Sequence, residues 1–119
     1  MKMSMPRKLP ALNADTLAFW QGGRHGELLI HHCNACSQFF HPPGPICPRC
    51  ASFEVGPRSV SGKGTVVSYT LNYQPWTAEL DVPYVVAIIE LVEQSGLRFV
   101  SNVIGMDPQQ VHIDMPVRV

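Results

Sequence analysis

Two cysteine pairs, Cys33-Asn34-Ala35-Cys36 and Cys47-Pro48-Arg49-Cys50, stand ten residues apart, and this spacing constrains the fold more than any other feature of the chain. A two-residue spacer lets both sulfurs of a C-x-x-C knuckle face one ion while backbone N–H groups turn toward the thiolates, and two knuckles complete a tetrahedral S4 site. The spacing predicts one zinc ion per chain, held by Cys33, Cys36, Cys47 and Cys50. With all four positions filled by thiolate, none is left for substrate, so the metal serves the fold and not catalysis. Arg49 and the backbone donors soften the negative charge of such a site. Iron in the same cage stays open on spacing alone. Disulfide exchange needs a low-pKa thiol at a thioredoxin-type helix end, and neither pair follows a βαβ pattern. His31, His32 and His41 lie near the pairs, but four cysteines already satisfy the ion, so these histidines are expected beside the site or in solvent.

The chain as a whole is small and evenly charged. It has 119 residues, 45% hydrophobic and 15% charged, with nine Lys plus Arg against nine Asp plus Glu. That is room for one ordinary domain or two very small ones and not for a large catalytic scaffold. Zero net charge argues against nucleic acid as a partner, because gripping phosphate backbones needs a cationic footprint. Behind Lys2, Arg7 and Lys8, the stretch Leu9 to Trp20 is interrupted by Pro10, Asn13 and Asp15 before a signal-peptide core forms. The longest apolar run, Tyr84 to Ile89, is too short to cross a bilayer. The reading is a cytoplasmic protein with no membrane segment, whose thiols sit in a reducing compartment.

Residues 1–24 read as an arm followed by a helix of two to three turns, opened by Asn13, carrying Leu17, Phe19 and Trp20, and stopped by Gly22 and Gly23. Residues 25–60 form the zinc ribbon, with a strand from Glu27 to His32 and a loop forced by Pro42, Pro43, Gly44 and Pro45. Residues 61–119 are all β, with strands at Thr65 to Tyr73, Tyr84 to Val92, Leu97 to Ile104 and Pro116 to Val119. Glu93 to Gly96 reads as a hairpin turn and Asp107 to Gln110 as a helical turn.

This order of parts resembles the DUF35 family, in which a rubredoxin-like zinc ribbon precedes an OB-fold domain. The resemblance is carried by Phe19-Trp20, Gly26-Glu27-Leu28, the four cysteines, Pro42-Pro43, Gly62-Lys63-Gly64-Thr65-Val66, Pro83-Tyr84, Glu90-Leu91 and Met115. It implies a mainly β fold: a short N-terminal helix, a rubredoxin-like zinc ribbon, then an OB-fold β-barrel. Ser37, Ala51 and Asp114 stand where the family commonly has glycine, so the knuckles are expected to be sharper or distorted. An OB barrel needs five strands, and Val119 falls inside the fourth. Either Arg58 to Ser61 supplies an extra strand, or an open edge pairs with another copy in a homo-oligomer.

The resemblance further implies a non-catalytic accessory subunit of a thiolase-like enzyme, an acyl-CoA hydratase or an aldolase in lipid or steroid metabolism, helping to hold acyl-CoA. The residues agree on one point: no Ser-His-Asp spacing, phosphate loop or open metal site is visible. Glu90 and Glu93 fall on opposite faces of a β pattern and cannot form a close acid/base pair. Candidates for contact with acyl-CoA or the partner are Phe39, Phe40, Tyr73 and Trp76, with Lys63 and Arg98 for nucleotide phosphates. The competing reading is a single-strand nucleic-acid module stacking bases on Tyr69, Tyr73 and Phe99.

Overall fold

The computed structural model describes residues 8–76 and 81–119. Of the expected arm, residues 8–12 carry no regular secondary structure. The Asn13 side chain then accepts from the N–H groups of Asp15 and Thr16 at 2.9 and 3.0 Å, which starts the turn leading into α1, Leu17–Gln21. The α-helix ends at Gln21, directly before the two glycines, but after little more than one turn in place of the two to three expected. The chain tightens into a 3-10 turn over Gly22–His25 and halts at Gly26, where φ is 70°. Gly22 is needed for space: a Cβ there would stand 2.7 Å from the Glu27 carbonyl oxygen.

Three strands make the ribbon sheet: β1 Leu28–Cys33, β2 Phe39–Phe40 and β3 Val55–Val60, in the order β2-β1-β3. β1 is buried over its last four residues, so its backbone groups need partners on both edges. β2 covers only two residues, whereas β3 pairs with all six, from Leu28↔Val60 to Cys33↔Val55. The strand expected to begin at Arg58 and complete the OB part therefore exists, but its partner is the ribbon.

Four further strands form the second sheet: β4 Lys63–Asn72, β5 Tyr84–Leu91, β6 Arg98–Ser101 and β7 Pro116–Arg118, in the order β6-β5-β4-β7. A bulge at Val67 breaks the β4 register and lets the strand bend. Gly64 permits close strand contact: a Cβ there would lie 2.5 Å from the Glu90 carbonyl oxygen. The third strand is shorter than its apolar sequence suggests. Asn102 donates its side-chain amide to the Val85 carbonyl at 2.7 Å, taking the place of a strand bond, and the chain leaves the sheet. Among the described residues β6 and β7 are not paired, so the expected barrel is not closed. The hairpin turn before β6 and the 3-10 turn Pro108–Gln110, capped by Asp107, form as expected.

Two core clusters follow. Val66, Val85, Ala87, Ile89, Val111 and Met115 form the core cluster of the second sheet. Ile30, Leu91 and Leu97 form the other, with Phe19, Leu28, Phe39 and Val60 packed on it, and Phe99 touches both. The second cluster joins helix, ribbon and OB-type sheet. No described helix is long and apolar enough to cross a membrane.

Candidate metal centre and the surrounding surface

The two knuckles repeat one backbone design. Ser37 N–H donates to the Cys33 carbonyl at 2.8 Å and Cys33 N–H to the Gln38 carbonyl at 2.8 Å; Ala51 N–H donates to the Cys47 carbonyl at 3.0 Å and Cys47 N–H to the Ser52 carbonyl at 2.9 Å. Each loop closes only if the residue after the second cysteine turns left-handed. Ser37 has φ 60° and Ala51 φ 61°, and Asp114 has φ 65°. These are the three positions where glycine was missing from the family pattern. The knuckles keep their shape, and the departure appears as backbone strain of about 1–2 kcal/mol per residue.

The Sγ atoms of Cys33, Cys36, Cys47 and Cys50 all lie within 4.8 Å of one another, with Cys33 to Cys50 at 3.5 Å and Cys36 to Cys47 at 3.7 Å. Zn–S bonds of about 2.3 Å place tetrahedral sulfurs about 3.8 Å apart, so the cage fits one zinc ion. Burial pushes the Cys36 thiol up to about 12, against the Gln38 N–H and with the neighbouring sulfurs adding to the rise. The Cys50 N–H, opposed by burial and aided by the Arg49 N–H, brings Cys47 down to about 6. The Cys50 thiol is raised: the Ser52 N–H pulls it down, but the Cys33 sulfur, burial and the Cys47 sulfur prevail. Arg49 N–H reaches the Cys47 sulfur at 3.4 Å, so the softening charge near this thiolate comes from backbone. Bound there, zinc cross-links the two knuckles.

Of His31, His32 and His41 none is exposed, and His32 is tied to the first knuckle. His31 and His32 are buried, each against a ring of β2, His31 on Phe40 and His32 on Phe39. His32 spans Asn34 of the first knuckle and Arg58 on β3, at 3.2 and 3.3 Å. His41 packs on Phe19 with ring centroids 4.9 Å apart, and its Nδ1 is buried without a hydrogen-bond partner among the described residues. Burial lowers the pKa of His41, His31 adding to the effect; burial likewise lowers His31, with Asp15 opposing.

The remaining sequence candidates do not converge. Phe39 packs on His32 and Phe40 on His31, both half-buried in the ribbon. Tyr73 is exposed, its hydroxyl accepting from Gln109 at 2.6 Å, and Trp76 is exposed nearby. Lys63 opens β4 and Tyr73 follows its end, which separates them by roughly 30 Å of strand. Arg98 is paired with Glu90 at 3.0 Å. Glu90 also accepts from Gly96 N–H, and Glu93 accepts from Ser61 N–H, so both acids tie turns to the sheet. Arg118 on β7 lies directly across from Lys63, a neighbour found only from the register.

Residues 20–56 match the family model of the ChsH2 rubredoxin-like zinc ribbon domain, and residues 57–119 that of the ChsH2 C-terminal OB-fold domain; β3 runs across the junction. A probable enoyl-CoA hydratase alpha subunit of Thermomonospora curvata is 40% identical over 93% of this chain and 34% of its own length. A 3-oxo-4,17-pregnadiene-20-carboxyl-CoA hydratase alpha subunit of Mycobacterium tuberculosis is 37% identical over 92% of this chain and 34% of its own. The chain thus spans about a third of these curated relatives. A DUF35 domain-containing scaffold protein of Methanocaldococcus jannaschii is 37% identical over 71% of this chain and 60% of its own. Among solved structures, a chain of an Ltp2-ChsH2(DUF35) aldolase superposes with TM-score 0.83 at 39% identity, covering 92% of this chain and 85% of that one.

Proposed function

The chain belongs to the DUF35 family of zinc-ribbon and OB-fold proteins, and from that premise we propose that it is a non-catalytic accessory subunit which docks on a thiolase-like, hydratase or aldolase enzyme of lipid or steroid acyl-CoA metabolism and helps to hold acyl-CoA. The observation that carries this reading is the likeness, over nearly the whole chain, to a component of an aldolase assembly. The chemistry supports it: the thiolate cage offers no open position, and Glu90 and Glu93 are engaged in turns. In this reading residues 1–24, 25–60 and 61–119 act as arm and helix, ribbon and OB part, in the cytoplasm.

The test is affinity purification of the tagged full chain from native extract, with mass spectrometry of what co-purifies. The expected partner is a thiolase-type, hydratase or aldolase subunit, with acyl-CoA turnover appearing only when the two are mixed. Turnover of acyl-CoA by the isolated chain, or co-purification with nucleic acid in place of such an enzyme, would overturn the proposal.

A further inference from the structure

Arg24, Trp20 and Lys8 line a cavity of about 970 Å³ between the helix and β6, together with Leu12, Val100 and Asn102. Its size lies within the range of about 300–1,000 Å³ common for small-molecule sites. Two cations and no acid line it, in a chain whose total charge is zero. Neither cation is in an ion pair among the described residues, where the ion pair found is Arg98 with Glu90. Trp20 is 51% exposed although Phe19 beside it is packed, so an indole surface stands next to the two positive charges. An aromatic surface beside cations suits a flat base carrying phosphates.

A second cavity, of about 670 Å³, lies in the open seam between β6 and β7 and is largely apolar, with Ile89, Phe99, Ile104 and Met115 in its walls. Ser101 and Asn102 line both cavities, so a cationic aromatic compartment and an apolar one meet at the end of β6. We propose that the pair is a two-part site for an acyl-CoA: the nucleotide base lies against Trp20, its phosphates meet Lys8 and Arg24, and the ligand rounds the end of β6 to place its acyl end in the seam. This rests on the acyl-CoA part of the proposed function and locates it away from the candidates read from the sequence. The first compartment offers one exposed indole and two cations, enough for one nucleotide; a nucleic-acid strand needs a longer cationic groove with several stacking rings.

The zinc-loaded full chain carrying Trp76→Phe keeps Trp20 as its single tryptophan, because the sequence has two. Coenzyme A and 3′,5′-ADP should both change Trp20 fluorescence, and octanoyl-CoA should bind more tightly than coenzyme A. Lys8→Glu and Arg24→Glu should each weaken coenzyme A by roughly tenfold, the scale of a lost charge-assisted contact, and flatten the salt dependence. Ile104→Asp, at an exposed position, should abolish the gain from the octanoyl chain and leave coenzyme A unchanged. Calorimetry with Trp20→Ala, checked for zinc content, gives a second readout and should show a similar loss. Coenzyme A binding that ignores the Lys8, Trp20 and Arg24 variants would overturn this location while the acyl-CoA reading stands. No binding of coenzyme A, with or without the partner enzyme, would remove both. Equal affinity for 3′,5′-ADP and octanoyl-CoA would make this a free-nucleotide site, and tighter, steeply salt-dependent binding of a single-stranded oligonucleotide a nucleic-acid site; either result overturns the proposal.

Discussion

The side-chain amide of Gln94 pairs with the backbone of Phe39 in both directions: Phe39 N–H donates to Oε1 at 2.8 Å, and Nε2 donates to the Phe39 carbonyl at 2.9 Å. The residues are 55 apart in sequence. One belongs to the hairpin turn before β6 and the other to β2, so a single amide stands in for a neighbouring strand and fastens the OB-type sheet to the ribbon. Gln94→Ala leaves both backbone groups of Phe39 without this partner and should cost about 1–3 kcal/mol. Urea unfolding of the zinc-loaded protein measures it, and zinc content should be unchanged. An unaltered midpoint would mean that water replaces both bonds without loss.

Metal analysis of purified protein should give one zinc per chain. Cys47→Ser, or removal of zinc by a chelator, should unfold the ribbon, since structural zinc in small motifs contributes about 10–16 kcal/mol of folding free energy at neutral pH. Circular dichroism and hydrogen exchange over β1 and β3 read the outcome. Less than half an equivalent of zinc, with iron also missing, would reject the site.

Two glycine exchanges should move stability in opposite directions. Ala51→Gly relieves a left-handed alanine and should stabilise by up to about 1 kcal/mol, the strain removed less the entropy added to the unfolded chain. Gly64→Ala drives a methyl group against the Glu90 carbonyl and should destabilise by about 1–3 kcal/mol or more. Thermal melts of both variants check the pair, and a destabilised Ala51→Gly would show that the knuckle carries no such strain.

Stability should fall on mild acidification. Burial holds His41 below its ordinary 6.5 in the folded state, with His31 adding to the effect, so the unfolded chain takes up the proton first. Between pH 6.5 and the lower folded value the unfolded state binds more protons, and stability declines as pH falls through that window. His31 shifts in the same direction. Glu90 is lowered chiefly by Arg98, and its contribution is lost below the ordinary carboxyl value of 4.5 as pH falls through its folded value. His41→Phe should flatten the slope just below pH 6.5 in melts at fixed zinc content; an unchanged slope would exclude His41 as its source.

Local signals carried much of the fold. Asn13 and Asp107 form side-chain bonds to nearby backbone N–H groups, and the Glu93 to Gly96 turn closes between β5 and β6. Strand β6 was overestimated because the apolar run continues past Ser101, whereas it is the Asn102 amide that reaches Val85. No local pattern reports that distant bond. His31 and His32 were expected beside the cage or in solvent; both are buried, His32 against Asn34 of the first knuckle and against Arg58, on a strand more than twenty residues away in sequence.

The sequence by itself determined the metal cage, because a C-x-x-C spacer and a left-handed residue after it are properties of a few consecutive residues, and it determined the mainly β character through alternation along each strand. Tertiary structure alone decided that β3 pairs along the whole of β1, that β6 and β7 leave a seam, and that Lys63 faces Arg118 while Trp20, Arg24 and Lys8 share a cavity with Val100. The physical reason is range: a knuckle is closed by bonds across four or five residues, whereas register and cavities depend on which distant strand satisfies an edge, and many pairings are compatible with the same alternating pattern.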